Sequence, residues 1–170
     1  MIKQDISENQ AKRIYIGIGS NLGNKRDNIE KAKFKILQKG IKILASSSLY
    51  ETLSWPNPNN PKFYNIVLKI ETNYHPIDLL KIFKNLEDEF GRRKLAKNAP
   101  RYCDIDIIDY KNLKIEDKVI LPHPRMHARN FVLFPLFELD KDWKHPMSKH
   151  HIKNLLLSLP ITDINSIKQI

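Results

Sequence analysis

Residues 101–110 read Arg-Tyr-Cys-Asp-Ile-Asp-Ile-Ile-Asp-Tyr, an alternation of polar and apolar residues that predicts a strand over 102–110. Successive side chains of a strand point to opposite faces, so the neighbouring aspartates Asp104 and Asp106 share a face. The full prediction places Tyr102, Asp104, Asp106 and Ile108 on that face, and Cys103, Ile105, Ile107 and Asp109 on the other. This strand is the last in a series of predicted strands and helices, and the order of these elements determines the predicted fold.

The segments before this strand alternate between strand and helix patterns. The predicted elements are a strand at 13–20, a helix from Asn24 to Gln38, strands at 41–52 and 63–72, and a helix from Pro76 to Phe90 that ends at Gly91. The stretch 53–62 contains three prolines and three asparagines and is predicted to be a loop. The order β-α-β-β-α-β predicts an α+β fold, a ferredoxin-like split antiparallel sheet with helices on one face. We expect the other face to be free for a ligand.

The remaining segments are predicted to extend this unit. An apolar segment at 131–139 and a short final helix at 149–159 form a C-terminal extension, and residues 1–12 form a flexible lead-in. The length of 170 residues and the lack of a repeat or low-complexity linker favour one domain over 1–170.

Composition excludes several classes of protein. Hydrophobic residues make up 41% and charged residues 28%, which is typical of a globular chain. No apolar run approaches the ~20 residues of a membrane helix, and the polar N-terminus lacks a signal peptide. The single cysteine, Cys103, excludes an intramolecular disulfide and favours a reducing, cytoplasmic location. The net charge of +10 indicates an anionic partner without choosing among nucleic acid, membrane surface and phosphorylated small molecules.

The aspartate pair has two interpretations. The strand rise of ~3.3 Å per residue places Asp104 and Asp106 about 6.6 Å apart, close enough to repel unless a cation lies near them. Oxygen ligands on a rigid strand suit Mg²⁺, which keeps waters and shares substrate phosphates. The alternative is that both carboxylates lie on a solvated strand face, and the pattern alone leaves both interpretations open.

Two basic segments flank this strand and favour the metal interpretation. The first runs from Arg92 to Arg101, and the second runs from His123 to Arg129, where Pro122 and Pro124 stiffen its start. Guanidinium groups beside metal-binding carboxylates are the arrangement that phosphoryl transfer needs, because they spread the charge of a polyphosphate. We predict functional roles for Arg92, Arg101, His123 and Arg129, and solvated positions for Arg93, Lys94 and Lys97.

Three further residues are candidates with simpler alternatives. Phe63 and Asn65 begin a strand after the Pro/Asn loop and could stack on and hydrogen-bond a flat heterocycle, although an aromatic there is more often core. Glu87 lies in the second helix, where a surface position is the simpler explanation. Cys103 is predicted to be a small buried residue rather than a nucleophile.

The combined motifs resemble the hydroxymethyldihydropterin pyrophosphokinase family. The resemblance covers most of the chain, from about Ile14 to Leu139, and Arg-x-x-Asp-x-Asp and Pro-His-Pro-Arg-Met are specific in combination. The matching stretches are Tyr-Ile-Gly-Ile-Gly-Ser-Asn-Leu-Gly at 15–23, Ser-Ser-Leu-Tyr-Glu-Thr at 47–52, Phe-Tyr-Asn at 63–65, Pro-Arg-Tyr-Cys-Asp-Ile-Asp at 100–106, Leu-Pro-His-Pro-Arg-Met-His at 121–127 and Arg-Asn-Phe at 129–131.

The resemblance implies a reaction and a set of roles. ATP would transfer its β,γ-diphosphate to 6-hydroxymethyl-7,8-dihydropterin and release AMP. Asp104 and Asp106 would hold two Mg²⁺ ions. Catalytic roles would also fall to Arg92 and Arg101, and ATP would be bound by Glu87, Arg92, Arg101, His123 and Arg129, with His127 near the phosphates. Thr52 and Asn65 would hydrogen-bond the pterin, and Phe63 and Phe131 would sandwich it.

The chain departs from the family in two places. Asn98 and Ala99 stand where many members carry tryptophan and glycine before the Pro-Arg pair, and Leu53 follows Thr52 where a proline is common. Trp55, in a weakly matching loop, is left without a role. The resemblance favours a monomer, with a dimer as the alternative.

Nucleic-acid binding is the alternative function. Ferredoxin-like sheets with basic and aromatic surfaces also bind RNA, and the charge of +10 suits that function. No stretch matches the RNP1 pattern, and unmetallated aspartates on the binding face would repel phosphates. A catalytically dead relative is a third hypothesis, against which Asp104, Asp106 and Arg101 argue. We therefore expect small-molecule substrates, and neither nucleic acid nor a membrane as partner.

Overall fold

The computed structural model describes residues 13–92, 96 and 98–170. The predicted lead-in at 1–12 and the cations Arg93, Lys94 and Lys97 lie outside the described residues. The elements are β1 (Ile14–Ser20), α1 (Lys25–Gln38), β2 (Lys42–Ser46), β3 (Tyr50–Thr52), β4 (Phe63–Glu71), α2 (Pro76–Glu89), β5 (Asp104–Tyr110), β6 (Ile115–Glu116), β7 (Ile120–Leu121), a 3-10 turn (Met126–Ala128), α3 (Asn130–Leu139), α4 (Ile152–Leu157), α5 (Ile161–Ser166) and β8 (Lys168–Gln169).

An antiparallel sheet forms the centre of the described structure. Its strands lie in the order β5-β1-β4-β3-β8, and β2 also pairs with β4. The mixed class predicted from the sequence, an antiparallel sheet with helices, is confirmed. Local signals explain the helix bounds: the Asn24 side chain accepts a hydrogen bond from the Asp27 amide, and Pro76 opens α2. Gly40 and Gly91 follow the two helices at φ +75° and +91°, which favour glycine.

Helices cover both faces of the sheet, which corrects the expectation of helices on one face only. Ile16 of β1 packs in a core that contains buried residues of α1 and α2, whereas its neighbour Tyr15 points to the other face. There it packs with Leu133 and Leu136 of α3, both fully buried. Each such leucine contributes about 1.5–3 kcal/mol on burial. The apolar segment after the basic loop therefore forms a second helical layer, and the ligand face that we expected to be free is covered in part.

The predicted strand at 41–52 is interrupted in the structure. The Ser47 hydroxyl accepts a hydrogen bond from the Val67 amide at 3.0 Å. The amide and the hydroxyl of Ser48 both donate to Glu138 Oε1 at 2.9 Å. These side-chain bonds fasten the break to β4 and α3. The strand is therefore divided into β2 and β3.

Asp109 corrects the predicted faces of the last strand. The register shifts between Tyr15 and Ile16, so that Tyr15 pairs with Asp109 and Ile16 pairs with Ile107. One extra residue in β5 turns Asp109 to the face of Ile108, contrary to strict alternation. Asp109 is 2% exposed, and its Oδ2 accepts a hydrogen bond from Trp143 Nε1 at 2.9 Å. Burial raises the pKa of Asp109 to about 6, against the effect of this hydrogen bond.

The C-terminal region contains more elements than the predicted helix at 149–159. The helix α4 is shorter, and the Nδ1 atom of its N-cap residue His151 accepts a hydrogen bond from the Lys153 amide at 3.3 Å. After it come α5 and β8, and β8 pairs with β3. Among residues 13–92, 96 and 98–170, no helix combines the length and apolar character needed to cross a membrane.

Candidate functional site

A cavity of about 1110 Å³ opens where the ends of β1, β3, β4 and β5 meet. Its walls also include loop residues 53–56, five residues of the segment 123–129, the start of α3 and two residues of α5. Every site residue predicted from the sequence lines this cavity except Glu87: Thr52, Phe63, Asn65, Arg92, Arg101, Asp104, Asp106, His123, Arg129 and Phe131. Residues from distant parts of the sequence are therefore brought to one place.

Glycines of β1 form the floor of the cavity. Gly19 pairs with Asp104 on one side and Asn65 on the other, and Gly17 pairs with Asp106. A Cβ atom at Gly19 would lie 2.9 Å from Asn65 Oδ1 and 3.3 Å from Phe63 Cδ1. The glycine therefore leaves room for ligand groups above the strand. In the sequence, the spacing of two residues in Gly-Ile-Gly indicates such a floor, because it puts both glycines on one face of the strand.

Asp104 is surrounded by cations. Arg101 Nη2 lies 2.8 Å from Asp104 Oδ2, and Arg92 Nη1 donates to Asp104 Oδ1. Burial would raise the pKa of Asp104, but Arg101 and Arg92 outweigh that effect and lower it. The carboxylate is therefore ionised at neutral pH.

Asp106 is the more open of the two carboxylates. Its side chain is 40% exposed, and Arg129 Nη1 lies 3.9 Å from Asp106 Oδ2. Burial lowers the pKa of His123, with Asp106 acting in the opposite direction, so the imidazole is largely neutral at pH 7. Burial and the neighbouring Arg125 lower the pKa of Arg129, which still remains charged.

Glu87 lies behind the cavity wall rather than on it. Its side chain is fully buried, which excludes a surface position. Its Oε1 atom accepts a hydrogen bond from the Ile105 amide at 2.7 Å and lies 3.2 Å from Arg92 Nη1. Burial raises the pKa of Glu87 to about 7, opposed by Lys84 and increased by Asp104. Glu87 therefore holds Arg92 through an ion pair and holds β5 at Ile105, the residue between the two aspartates.

The aromatic and amide residues form a second group in the same cavity. Asn65 Nδ2 donates to Thr52 Oγ1 at 2.9 Å, and both side chains are buried. The guanidinium carbon of Arg101 lies 5.3 Å from the centre of the Phe63 ring, and that of Arg129 lies 5.3 Å from the Phe131 ring. These are cation–π distances. The two rings predicted to hold the heterocycle therefore adjoin the arginines predicted to hold the phosphates.

Several residues around the cavity had no assigned role in the sequence analysis. Asn21 is buried and joins two loops, because its Oδ1 accepts from the Arg101 amide at 2.7 Å and its Nδ2 donates to the Ser54 hydroxyl at 3.1 Å. Trp55 is 65% exposed, with the Arg125 guanidinium carbon 5.6 Å from its ring centre. Also among the lining residues without an assigned role are Asn98, Asn130, Asp163 and Ser166, and His127, expected near the phosphates, lines the cavity as well. The Ser-Asn-Leu-Gly motif was the available signal for Asn21.

The donor set at the aspartates fits a hard divalent cation. In the part of the chain that the structure describes, no cluster of three or more His, Cys, Asp and Glu side chains could hold a metal. Two carboxylates suit Mg²⁺, which binds through one or two carboxylates plus waters and substrate phosphates. The cavity thus combines carboxylates and arginines, groups suited to a metal-bound polyphosphate, with aromatic and amide groups suited to a flat heterocycle.

The comparison with protein families identifies a matching family. The sequence model described as 7,8-dihydro-6-hydroxymethylpterin-pyrophosphokinase (HPPK) matches residues 15–141. The chain is 38% identical over 155 residues to the folic acid synthesis protein fol1 of Pneumocystis carinii, a match that covers 91% of this chain and 21% of that protein. The chain spans 22% of the related protein of Dictyostelium discoideum, so both relatives are far longer.

A relative of similar length comes from Aquifex aeolicus (strain VF5). This 2-amino-4-hydroxy-6-hydroxymethyldihydropteridine pyrophosphokinase is 38% identical over 141 residues, covering 82% of this chain and 88% of the relative. Among solved structures, Plasmodium falciparum wild-type HPPK-DHPS with pterin and p-hydroxybenzoate superposes with a TM-score of 0.70 at 15% identity. That superposition covers 93% of this chain and 46% of the other, and it concerns the fold alone. The family match and the similarity to the Aquifex enzyme together show that the chain belongs to the 7,8-dihydro-6-hydroxymethylpterin-pyrophosphokinase family.

Proposed function

We propose that this chain transfers diphosphate from ATP to 6-hydroxymethyl-7,8-dihydropterin, giving the pterin diphosphate and AMP in folate biosynthesis. One observation carries the proposal: a single cavity joins the carboxylate and arginine group to the aromatic and amide group. Family membership supports the same reaction. The hydroxyl of the pterin's hydroxymethyl group would attack the β-phosphorus of ATP and release its proton to solvent. The bond from that phosphorus to the oxygen bridging the α- and β-phosphates would break, and this oxygen would leave with AMP.

The arginines would bind the triphosphate and balance its charge. Arg101 lies between Asp104 and the Phe63 ring. Arg129 lies in the same way between Asp106 and the Phe131 ring, so both arginines are placed where phosphate and pterin would meet. Arg92 would join them, held from behind by Glu87. Phosphoryl transfer depends mostly on alignment and electrostatic stabilisation, and a set of fixed guanidinium groups supplies both.

Asp104 and Asp106 would hold two Mg²⁺ ions. When bound, Mg²⁺ neutralises phosphate charge and orients the reacting oxygens. The Arg92 and Arg101 contacts to Asp104 keep this carboxylate ionised, which is the form a metal needs. We infer that these two guanidinium groups turn from Asp104 to the phosphates when the metal and ATP bind.

Thr52 and Asn65 would recognise the edge of the pterin. Their mutual hydrogen bond fixes the orientation of both side chains, and Gly19 leaves Asn65 Oδ1 accessible from the cavity. Phe63 and Phe131 would sandwich the ring.

We also propose a specific topology for the fold that supports this function. The strand order suits a ferredoxin-like split β-α-β-β-α-β sheet, with the residues after α3 as a C-terminal extension. We propose one pyrophosphokinase domain over residues 1–170, acting as a monomer in the cytoplasm on small-molecule substrates.

An AMP-release assay with Mg²⁺, ATP and the hydroxymethyldihydropterin tests the function. We expect AMP and pterin diphosphate from the wild-type chain in equal amounts, and none without the pterin. Asp117→Asn should release AMP as the wild type does, because Asp117 is exposed and lies outside the residues that line the cavity. A folded wild-type protein that releases no AMP would refute the proposal.

A further inference from the structure

The segment 161–170, which comprises α5 and β8, borders the cavity but has no part in the proposed reaction. The family match ends at residue 141, so this segment lies outside it. Asp163 and Ser166 nevertheless line the cavity beside Phe131. Two independent sets of hydrogen bonds attach the segment to the neighbourhood of the predicted pterin residues.

The first attachment is made by Asn130, the first residue of α3. Its Nδ2 atom donates to the carbonyl of Asp163 at 2.7 Å and to the Ser166 hydroxyl at 3.2 Å, and the Ser166 hydroxyl donates to the same carbonyl at 2.9 Å. Asn130 Oδ1 accepts a hydrogen bond from the Phe131 amide at 2.7 Å. One side chain, 9% exposed, therefore connects α5 to the backbone of Phe131.

The second attachment is made by β8 at the edge of the sheet. Gln169 pairs with Tyr50, and the amide of Ile170 donates to the Leu49 carbonyl at 2.9 Å. The Gln169 side chain donates to the Ser48 hydroxyl at 2.9 Å. The strand β3 has three residues and ends at Thr52, so this pairing orders the strand that carries a predicted pterin contact.

We propose that residues 161–170 form an additional wall of the pterin end of the cavity, and that Asn130 is a positioning residue that couples this wall to Phe131. The proposal rests on the function proposed above. Both attachments lead to pterin positions, Phe131 and Thr52. Of the predicted ATP residues, Arg129 directly precedes Asn130, whereas Arg92, Arg101 and His123 lie on other elements. Loss of the wall therefore weakens pterin binding more than ATP binding, because a preorganised site loses affinity when its parts become mobile.

Isothermal titration calorimetry of Asn130→Ala and Ser166→Ala tests the proposal. Pterin is titrated into protein that already holds Mg²⁺ and a non-hydrolysable ATP analogue, and the analogue is titrated separately. For Asn130→Ala, which removes both bonds to α5 and the bond from the Phe131 amide, we expect the pterin Kd to rise about tenfold. For Ser166→Ala we expect about threefold. The Kd of the analogue should stay within about twofold for both variants.

Ser158→Ala is the matched control, because the exposed Ser158 hydroxyl donates to the Asn154 carbonyl outside the cavity. It should bind pterin as the wild type does. Ser166→Ala leaves the start of α3 intact, so it carries the test if Asn130→Ala fails to fold. In steady-state assays, the KM for pterin should rise with a smaller change in kcat, a split that general destabilisation would not produce.

The activity of the wild-type chain distinguishes failure of this inference from failure of the proposed function. If it releases AMP but the folded Ser166→Ala and Asn130→Ala proteins bind pterin as tightly as the wild type, the wall does not act on the pterin and the inference is wrong. Equal weakening of pterin and analogue binding would also overturn it. If the wild type binds no pterin and releases no AMP, the proposed function is wrong, and the inference that rests on it is wrong as well.

Discussion

Arg101 Nη2 lies 2.8 Å from Asp104 Oδ2, so a predicted phosphate ligand and a predicted metal ligand neutralise each other. Arg101 also adjoins the Phe63 ring, and its amide is bound by Asn21. The same guanidinium group is thus placed to change partner from carboxylate to phosphate without leaving the cavity wall. A metal held by Asp104 would supply the positive charge that this carboxylate gives up when the arginine turns away.

Asp104→Asn should abolish most activity and preserve the fold. The neutral amide is a weaker metal ligand than the carboxylate, and Arg101 loses the charge of Asp104 while Arg92 keeps its contact with Glu87. We expect kcat/KM to fall by about 10²- to 10³-fold, the effect of removing one group from a preorganised electrostatic site. AMP release at saturating Mg²⁺ measures the fall. Circular dichroism checks the fold, and an unfolded variant with an intact Asp117→Asn control would mean that Asp104 is structural.

Arg129→Ala should weaken ATP binding more than pterin binding. Loss of a charged donor raises the Kd of an ATP analogue by about tenfold or more. Arg129 also lies against Phe131, but this partly buried cation–π contact is worth only about 1 kcal/mol, so the pterin Kd should rise less, by about fivefold. Calorimetric titrations of both ligands measure the two effects.

Arg26→Ala is the control for this variant, because Arg26 is an exposed cation of α1 that does not line the large cavity. It changes the net charge by the same amount and should bind both ligands as the wild type does. Equal losses of ATP and pterin affinity in Arg129→Ala would contradict the division of roles.

Gly19→Ala should weaken pterin binding by steric interference. The added Cβ would lie 2.9 Å from Asn65 Oδ1, so the amide must move away from Thr52 and the ligand. Overpacking of this kind costs about 1–3 kcal/mol, which corresponds to a rise of about 5- to 150-fold in the pterin Kd.

Gly17→Ala provides the comparison for this position. Its Cβ would meet Ile108 Cδ1 at 3.4 Å, an ordinary van der Waals contact, so we expect a smaller effect on the pterin Kd. Titrations of pterin into both variants with an ATP analogue present give the comparison. If the two alanine variants lose pterin affinity equally, the crowding at Asn65 does not explain the requirement for glycine.

The sequence predicted the residues of the cavity better than their surroundings. Asp104 and Asp106 share a face because strand alternation is local, and the structure agrees. Asp109 breaks that alternation because the register with Tyr15 shifts, which depends on a strand distant in sequence. The burial of Glu87 likewise depends on its contact with the Ile105 amide. Asn130 and Ser166 are separated by 36 positions, and no local pattern indicates their hydrogen bond.

Asp109 should make the stability of the fold depend on pH. Because its pKa rises from the ordinary 3.8 to about 6, the folded state binds the proton more tightly than the unfolded chain does. The stabilisation is complete below about pH 4 and is lost as the pH rises through about 6, with a total near 3 kcal/mol. In Asp109→Asn this position no longer titrates. Urea unfolding at pH 4, 5, 6 and 7 should therefore show the wild type losing about 2.5 kcal/mol relative to the variant. A constant difference across this range would mean that Asp109 is ionised throughout in the folded protein.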